Sequence, residues 1–295
     1  MKKLNPPLTN LHKLYWPDEG ITKGELIKYY ESVGPYILPY LKNRPLSLKR
    51  NPNGIKDKGF YHKDAGDIAP AWMKTANIRA ESANKIIHYL ICNDLRSLLF
   101  IANLGCIEMN PWNSIVGKLD NPDYLVIDID PSDKNSFEQV IEVAVVLKEI
   151  MDRTGLTGFC KTSGSSGLHI YIPCKRKYDY DTVRDFANIL ASTIVEELPS
   201  TTTLERSLSK RKKNQIYVDY LQNSRGQTLA SVYSARPKPG ATVSTPLEWK
   251  EVKKGLHPGM FTIKNIGKRL AKKGDLFKGV LGKGNDLQKA LKRLG

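Results

Sequence analysis

The chain has 295 residues, 40% of them hydrophobic, which is enough to bury one large core or two smaller ones and excludes a disordered tail or linker. Its 46 Lys and Arg against 30 Asp and Glu give a formal net charge of +16, which favours a polyanionic partner such as nucleic acid over a merely solvated basic surface. The four cysteines, Cys92, Cys106, Cys160 and Cys174, lack the close spacing of paired zinc ligands, and no apolar stretch reaches the roughly 20 residues that span a bilayer. We therefore expect a folded cytoplasmic protein with reduced, buried thiols and no membrane partner.

The first part of the chain is polar, basic and rich in proline. Lys23–Ser32 is predicted to be a helix, because Thr22 is a suitable cap and Glu25 follows it by three residues. Arg44–Arg50 is predicted to be a strand that ends in cations, and a second helix is predicted near Ser82–Leu99.

Strands and helices alternate from residue 124 onward. Strands are predicted at Tyr124–Asp130, Gly158–Thr162, Leu168–Pro173 and Ile216–Tyr220, and helices at Ser136–Asp152 and Asp181–Leu198. The loop at 163–167 is short, which favours a hairpin over a helical crossover. The predicted fold class is therefore α/β (α+β), with largely antiparallel sheets flanked by helices.

Two aspartates end the most apolar predicted strand. Asp128 and Asp130 are two residues apart, so both carboxylates leave the same face of the strand, about 6.6–6.8 Å apart along the chain. Such a pair suits a magnesium or manganese ion better than zinc, although the strand could simply emerge into a turn at residues 131–133. A third carboxylate, Asp219, ends another apolar run, and three strand-end aspartates could together hold two divalent cations.

A loop of small residues precedes a strand that carries a histidine. Ser163–Gly167 is composed of Ser and Gly, whose backbone amides and hydroxyls can converge on a phosphate, with the imidazole of His169 as a further donor. The alternative is a flexible surface hairpin followed by an ordinary strand histidine.

With these motifs in place, the sequence resembles the polymerase domain of DNA ligase D, a branch of the archaeo-eukaryotic primase superfamily that serves non-homologous end joining. The resemblance runs from Leu8–Lys13 to Phe261–Asn265. It is most specific at Val218–Thr228, Tyr233–Pro237 and Val243–Leu247.

The resemblance implies one primase-type polymerase domain over residues 1–295, here as a stand-alone chain. Residues 1–115 would form an N-terminal part that binds DNA and a 5′ phosphate. Residues 116–295 would form the catalytic core, including the metal-binding motifs and a basic C-terminal segment. The cations of that segment, which could also be a solvated helix face, are Lys264, Lys268, Arg269, Lys272, Lys273 and Lys278.

The resemblance also implies roles for individual residues. Asp128, Asp130 and Asp219 would ligate two Mn²⁺ or Mg²⁺ ions, and the third would also accept the proton of the primer hydroxyl. Contacts to a nucleoside triphosphate are implied for Lys49, Phe60, Tyr61, Asn110, Ser163, Ser165, His169, Gln222 and Arg236. The aromatic pair in this set would supply a stacking face for the base. Lys13 and Lys23 would bind the 5′ phosphate on the far side of a gap.

The implied activity is template-dependent filling of gaps and extension of primer 3′ ends at double-strand breaks, with a preference for ribonucleotides. Ku and an ATP-dependent DNA ligase are the implied partners. The chain departs from the family pattern at two positions, since Asn110 replaces a histidine and Ser166 replaces a cation of the phosphate loop. Loss of one charge-assisted contact costs roughly 1.5–3 kcal/mol of nucleotide binding unless Lys161, Arg211 or Lys212 compensates.

Three other functions suit parts of the same pattern. A true primase shares the metals and the phosphate loop but starts strands without a primer; the lack of a cysteine zinc cluster and the presence of Lys13 and Lys23 favour a repair polymerase. A non-catalytic DNA-end-binding protein would use the basic surface alone. A metal-dependent phosphoesterase could also use three carboxylates and a histidine.

Overall fold

Short strands and longer helices alternate along the chain in the computed structural model, which describes residues 7–66, 68–80, 84–207, 209–212 and 214–294. The strands are β1 (Leu14–Trp16), β2 (Ile21–Thr22), β3 (Leu46–Arg50), β4 (Phe60–His62), β5 (Thr75–Ala80), β6 (Lys85–Leu90), β7 (Cys106–Pro111), β8 (Tyr124–Asp130), β9 (Phe159–Thr162), β10 (Leu168–Pro173), β11 (Thr202–Thr203), β12 (Ile216–Asp219) and β13 (Pro246–Leu247). The helices are α1 (Lys23–Leu41), α2 (Leu95–Asn103), α3 (Phe137–Thr154), α4 (Tyr180–Glu197), α5 (Ile266–Lys273) and α6 (Leu287–Leu291). Over the described ranges, none of these helices has the length and apolar character that crossing a membrane requires.

The chain packs into two units and passes between them several times. The first unit comprises Met1–Val116, Thr228–Ser244 and Phe261–Gly274, and the second comprises Gly117–Gln227, Thr245–Met260 and Asp275–Gly295. The first passage, between residues 116 and 117, lies beside the division predicted at residues 115 and 116. The two later returns to the first unit were not predicted. They place α5, with most of the basic C-terminal segment, in the first unit and not in the unit that carries Asp128.

Helix α1 begins where predicted and continues further. Its capping box is present, because Thr22 accepts a hydrogen bond from the Glu25 amide while the Glu25 carboxylate accepts one from the Thr22 amide. Two prolines, Pro35 and Pro39, lie inside the helix, although proline removes a helical hydrogen bond and usually ends the pattern. The buried stripe continues past them at Val33, Ile37 and Leu41. Burial of this stripe keeps the helix intact to Leu41.

The helix predicted near Ser82–Leu99 is wrong over its described first half, and residues 82 and 83 lie outside the described ranges. Lys85–Leu90 instead forms β6, antiparallel to β5. The β-branched and aromatic residues of this segment, Ile86, Ile87 and Tyr89, favour a strand. The helix starts only at Leu95, where Asp94 caps it by accepting a hydrogen bond from the Ser97 amide.

Each unit has its own main sheet. The first unit contains a three-stranded sheet in the order β4-β3-β7, together with the pairs β1-β2 and β5-β6. The second contains a six-stranded sheet in the order β11-β12-β8-β10-β9-β13, against which α3 and α4 pack. Among the named strands of the described chain, every pairing is antiparallel except that of β11 with β12. The predicted fold class is confirmed.

The hairpin between β9 and β10 is also confirmed. Leu168 pairs with Thr162, and the Ser163 amide donates to the Gly167 carbonyl across the loop. Gly167 has no room for a side chain, because a Cβ atom there would lie 2.0 Å from the carbonyl oxygen of Ile129. This close approach seats the loop on the end of β8, beside its two aspartates.

The four cysteines are free and buried, as predicted. Burial is the main cause that raises the pKa of Cys174 to about 12. A protonated, inaccessible thiol behaves as a small apolar side chain.

Candidate active site

Four ionisable residues form a row across the sheet of the second unit. Asp219 on β12 pairs in register with Asp128 on β8. Asp128 pairs with His169 on β10, and His169 pairs with Lys161 on β9. Directly opposed residues of antiparallel strands lie on the same face, with Cβ atoms about 4.5–5.5 Å apart. The register therefore brings together side chains that are up to 91 positions apart in sequence (219 minus 128).

Asp130 lies on the same face as Asp128, because the two are separated by one residue of β8. Desolvation is the largest cause that raises the pKa of Asp130 above its usual range, and the nearby charge of Asp219 raises it further. The guanidinium of Arg211 acts in the opposite direction. The backbone thus places the three aspartates on one face of the sheet, and the charge of Asp219 acts on Asp130.

The carboxylate of Asp219 is engaged within its own unit. One oxygen accepts hydrogen bonds from the Tyr217 hydroxyl at 3.1 Å and the Leu221 amide at 2.8 Å, and the other accepts one from the Gln222 side chain at 2.9 Å. Within the described part of the chain, no group of three or more His, Cys, Asp or Glu side chains is arranged to hold a metal ion. The strand register places the three residues on one face, while the carboxylate of Asp219 is bound to Tyr217, Leu221 and Gln222.

The donor chemistry nevertheless fits a hard divalent cation. Three carboxylates on neighbouring strands repel one another and pay a desolvation cost, which a divalent cation offsets. Oxygen donors of this kind suit Mg²⁺ or Mn²⁺.

His169 is held at both nitrogens. Its Nδ1 lies 2.8 Å from the Nζ of Lys161, and its Nε2 lies 3.3 Å from a carboxylate oxygen of Asp128. His169 is 4% exposed and Lys161 is 0% exposed. The ammonium of Lys161 is therefore directed at His169, and compensation for Ser166 by this residue stays a prediction.

The loop of small residues is closed around one hydroxyl. The Oγ of Ser163 accepts hydrogen bonds from the amides of Ser165 and Gly167, each at 3.0 Å. Gly164 has a φ of 72°, in the left-handed region that glycine tolerates. The amides predicted to converge on a phosphate thus converge on Ser163, and an anion at this point has to replace its hydroxyl.

A cavity of about 560 Å³ opens beside this loop. Ser165 and Ser166 line it, together with the first turn of α3 and residues 255–258. The sequence did not indicate this cavity, because its walls come from three distant segments of the second unit. Ser166, which replaces a cation of the family's phosphate loop, therefore faces open space.

Arg211 remains as a cation near the aspartates. Its guanidinium donates to the carbonyls of Glu205 and Arg206 and lies 4.6 Å from the ring centroid of Tyr217. The same guanidinium lowers the pKa of Asp130, so its field reaches the acidic face. Lys212, the third candidate for compensation, is exposed.

The first unit holds a second cluster of the predicted residues. Glu108, Lys49 and Tyr61 pair in register across β7, β3 and β4. The Nζ of Lys49 lies 4.8 Å from the ring centroid of Tyr61 and donates to the Gly59 carbonyl. Arg236 forms a largely buried ion pair with Glu108 at 2.6 Å. The Lys49 ammonium, the exposed Tyr61 ring and the Arg236 guanidinium thus lie close together around Glu108.

Phe60 and Asn110 do not join this cluster in the predicted way. Phe60 and Tyr61 are consecutive residues of β4, so their rings point to opposite faces, and Phe60 contacts Arg50 instead. The two cannot stack on one base as a pair. The Asn110 amide is buried and donates to the Ser47 carbonyl at 3.2 Å.

Lys13 and Lys23 lie close together at the start of α1. The Lys23 amide donates to the Lys13 carbonyl, and the Nζ of Lys23 donates to the Thr9 carbonyl at 2.8 Å. Burial is the main cause that lowers the pKa of Lys23, and the charge of Lys13 lowers it further. Lys13 itself contacts Asn53. A bound anion would offset the electrostatic repulsion between these two lysines.

Three supporting residues were missed by the sequence analysis. Glu108 holds Arg236, Tyr217 holds Asp219, and Asn223 binds both the amide and the carbonyl of Val126 in β8. Tyr217 could have been identified from the sequence, since it is two residues from Asp219 and therefore lies on the same face of the strand. The other two depend on packing between distant segments.

Comparison with known families and proteins gives consistent matches. The family model "LigD, primase-polymerase domain" matches residues 22–277. The bifunctional non-homologous end joining protein LigD of Bacillus subtilis is 32% identical over 280 residues, which cover 94% of this chain and 44% of that protein. The multifunctional LigD of Mycolicibacterium smegmatis is 29% identical over 249 residues, covering 83% of this chain and 32% of that protein. The chain spans less than half the length of these curated relatives.

A solved structure agrees in fold. The polymerase domain of Mycobacterium tuberculosis ligase D, determined in complex with DNA, matches with a TM-score of 0.87 at 27% identity. The match covers 96% of this chain and all of that one. The helices and antiparallel sheets described above are thus those of a known polymerase domain.

Proposed function

Because the chain belongs to the LigD primase-polymerase family, we propose that it is a template-dependent nucleotidyltransferase that fills gaps and extends primer 3′ ends at DNA breaks. The observation that carries the proposal is the placement of Asp128, Asp130 and Asp219 on one face of one sheet, with Asp128 and Asp219 in direct register. In the reaction, the primer 3′ oxygen attacks the α-phosphorus of a nucleoside triphosphate and pyrophosphate leaves.

The three aspartates are the proposed ligands of two Mn²⁺ or Mg²⁺ ions. Such ions activate the attacking hydroxyl and stabilise the charge of the leaving pyrophosphate. Asp219 is the proposed acceptor of the hydroxyl proton, because it ends β12 directly opposite Asp128. Its carboxylate accepts hydrogen bonds from Tyr217, Leu221 and Gln222.

The proposed triphosphate contacts of the second unit are Ser163, Ser165, His169 and Gln222. Gln222 is suited to a switching role, since its amide now binds Asp219 and can turn to a ligand when that carboxylate rotates. Arg211 is the proposed replacement for the cation that Ser166 lacks. In the first unit, Lys49, Tyr61 and Arg236 are the proposed contacts to phosphate and base, with Tyr61 as the stacking ring.

The proposed DNA contacts are electrostatic. Lys13 and Lys23 form the proposed binding site for a 5′ phosphate, because an anion between them would offset their mutual repulsion. Residues 261–274 carry five cations and no acid, and Lys264, Lys268 and Lys272 in this stretch are exposed. We assign to α5 a role in tracking the phosphate backbone.

A preference for ribonucleotides, and cooperation with Ku and an ATP-dependent ligase, complete the proposal. Both come from the family resemblance. The relatives are named as end-joining proteins, and this chain corresponds to 44% of the Bacillus subtilis protein.

The test is primer extension on a gapped duplex, with Mn²⁺ or Mg²⁺, with and without a downstream 5′ phosphate, and with matched ribonucleotides and deoxynucleotides. We expect metal-dependent extension that is enhanced by the phosphate and faster with ribonucleotides. An unprimed single-stranded template is the control for a primase. DNA binding without extension under every metal condition would leave only an end-binding protein.

A further inference from the structure

Lys161 is a fully buried lysine in the centre of a sheet. It is 0% exposed, and its Nζ lies 5.5 Å from the ring centroid of Tyr171. Lysine is rarely found fully buried unless it is paired, because an ammonium loses its hydration there. The group that receives its hydrogen bond is therefore informative about its task.

The receiving group is the imidazole that contacts Asp128. Nζ lies 2.8 Å from Nδ1 of His169, and Nε2 of the same ring lies 3.3 Å from the Asp128 carboxylate. A carboxylate beside Nε2 and an ammonium beside Nδ1 suit a neutral imidazole that donates from Nε2 and accepts at Nδ1. Nδ1 then offers a lone pair, and an N–H of Lys161 fills it. The hydrogen bonds run in one direction, from Lys161 through His169 to Asp128.

We infer that Lys161 is a positioning residue of the catalytic site, which fixes the tautomer and orientation of His169 and, through His169, the orientation of Asp128. The partner on the far nitrogen of a histidine decides which nitrogen carries the hydrogen. Without Lys161, Nδ1 loses its partner, so the ring is freer to rotate or to place its hydrogen there, and the contact with Asp128 is weakened. Lys161 has no exposed surface, so it acts through His169 and not on a ligand.

The effect of Lys161 on the carboxylates passes through directly paired neighbours. Lys161, His169, Asp128 and Asp219 are consecutive across four strands, so a shift of His169 is transmitted directly to the carboxylates. The neighbouring residue Cys160 pairs with Ile170 and faces the other side of the sheet. It is equally buried and therefore serves as a matched control for perturbing β9.

The first test is made on the wild-type protein, by NMR of ¹⁵N-labelled histidine at fixed neutral pH, with His169→Gln to assign the signal. We expect His169 to be locked with hydrogen on Nε2 and an unprotonated Nδ1. A ring that carries its hydrogen on Nδ1, or that exchanges between both forms, overturns the inference. This measurement needs neither a metal ion nor activity, and it can overturn the inference even if the variants of β9 fail to fold.

The second test uses Lys161→Met, with Cys160→Ala as the control. We expect Lys161→Met to lose the locked tautomer and to lower kcat for primer extension about 10- to 100-fold, with KM for the nucleotide changed less than about 3-fold. Cys160→Ala should leave both the tautomer and kcat as in the wild type. A raised KM with an unchanged kcat overturns the inference in favour of direct triphosphate contact. An unchanged tautomer with a lowered melting temperature overturns it in favour of a purely structural role.

The kinetic consequence rests on the proposed polymerase function, whereas the tautomer does not. If the wild-type protein extends no primer, the proposed function fails. The NMR result then still decides the inference about Lys161 and His169.

Discussion

At the scale of single residues, neighbouring carboxylates differ because their surroundings differ. Asp219 receives three hydrogen bonds from its own strand and the turn that follows. Asp130 has an elevated pKa caused by desolvation and by the charge of Asp219. A cation that enters this face therefore relieves the repulsion between Asp130 and Asp219, and it has to compete with Gln222 for Asp219.

Removal of Asp128 separates catalysis from DNA binding. We expect Asp128→Ala to reduce primer extension at least about 1000-fold, since a metal-bound transition state is stabilised by several kcal/mol. Affinity for gapped DNA should change less than about 2-fold, because that binding depends on the basic surface. Extension assays and fluorescence anisotropy measure the two, with the exposed Asp133→Ala as control. Loss of DNA binding in parallel with activity would indicate that Asp128 supports the fold instead.

A cation restored at position 166 should improve nucleotide binding. Ser166 lines an open cavity, so a longer side chain has room. We expect Ser166→Lys to lower KM for the nucleotide at least about 10-fold with little change in kcat, because a charge-assisted contact contributes roughly 1.5–3 kcal/mol. Ser166→Ala should leave KM unchanged. Steady-state extension kinetics provide the test, and an unaltered KM in the lysine variant would show that Arg211 already supplies the charge.

The sequence predicts part of this site from local geometry alone. The spacing of Asp128 and Asp130 fixes their common face, because side chains alternate along a strand. The pairing of Asp128 with Asp219 and His169 depends on strand order and register, which packing decides. The opposed directions of Phe60 and Tyr61 follow from the same alternation once residues 60–62 are known to form a strand.

At the scale of elements, helix α4 offers a cap whose contribution depends on pH. The carboxylate of Asp179 accepts a hydrogen bond from the Thr182 amide at 2.8 Å, and this bond lowers the pKa of Asp179. A lowered pKa in the folded state means that the carboxylate stabilises the fold at neutral pH. That contribution is lost as the pH falls through the folded pKa, below the usual value of 3.8.

We expect Asp179→Ala to reduce the free energy of unfolding by about 1 kcal/mol at pH 7. The deficit should shrink toward pH 3, where the wild-type carboxyl is increasingly protonated. Asp179→Asn keeps an oxygen acceptor and should lose less at pH 7. Urea unfolding at both pH values measures this; a deficit that does not change with pH would mean that the charge is irrelevant to the cap.

The cations of residues 261–274, which comprise Lys264 and the cations of α5, should affect DNA binding uniformly. Lys264, Lys268 and Lys272 follow one another at four-residue spacing and are exposed. We expect their joint replacement by Gln to weaken binding of any duplex and to reduce the salt dependence of log K by up to about 3, or roughly 0.9 per lost phosphate contact. A triple replacement at Lys148, Lys175 and Lys177 in the second unit is the control. Unchanged affinity and slope would make α5 a solvated face.

Most elements of the second unit could be predicted because their signals are local. Strand β8 and strand β10 have the predicted bounds, and α3 begins at Phe137, one residue after its predicted start at Ser136. Helix α1 exceeded its prediction because burial overrode two prolines. The error at residues 85–90 arose because a short apolar segment gives similar signals for a buried helix and a strand.

At the scale of the whole molecule, a bound metal ion should be visible as added stability of one unit. A ligand that binds only the folded state stabilises it by RT ln(1 + [L]/Kd), or about 2.7 kcal/mol at 100 times Kd. We expect Mn²⁺ to raise the melting temperature of the wild type but not that of Asp128→Ala. If calorimetry resolves two transitions, only one should move. An equal rise in both proteins would place the ion elsewhere.

The path of the chain through its two units has a consequence for synthesis on the ribosome. The first unit lacks α5 until residue 274 has been made, and the second lacks its closing segment, Asp275–Gly295, for longer still. Neither unit can therefore finish folding before nearly the whole chain has been synthesised. A nascent chain stalled before residue 261 should be protease-sensitive in both units. A fragment that ends at residue 116 or begins at residue 117 should likewise aggregate when it is expressed alone, because each lacks part of a unit.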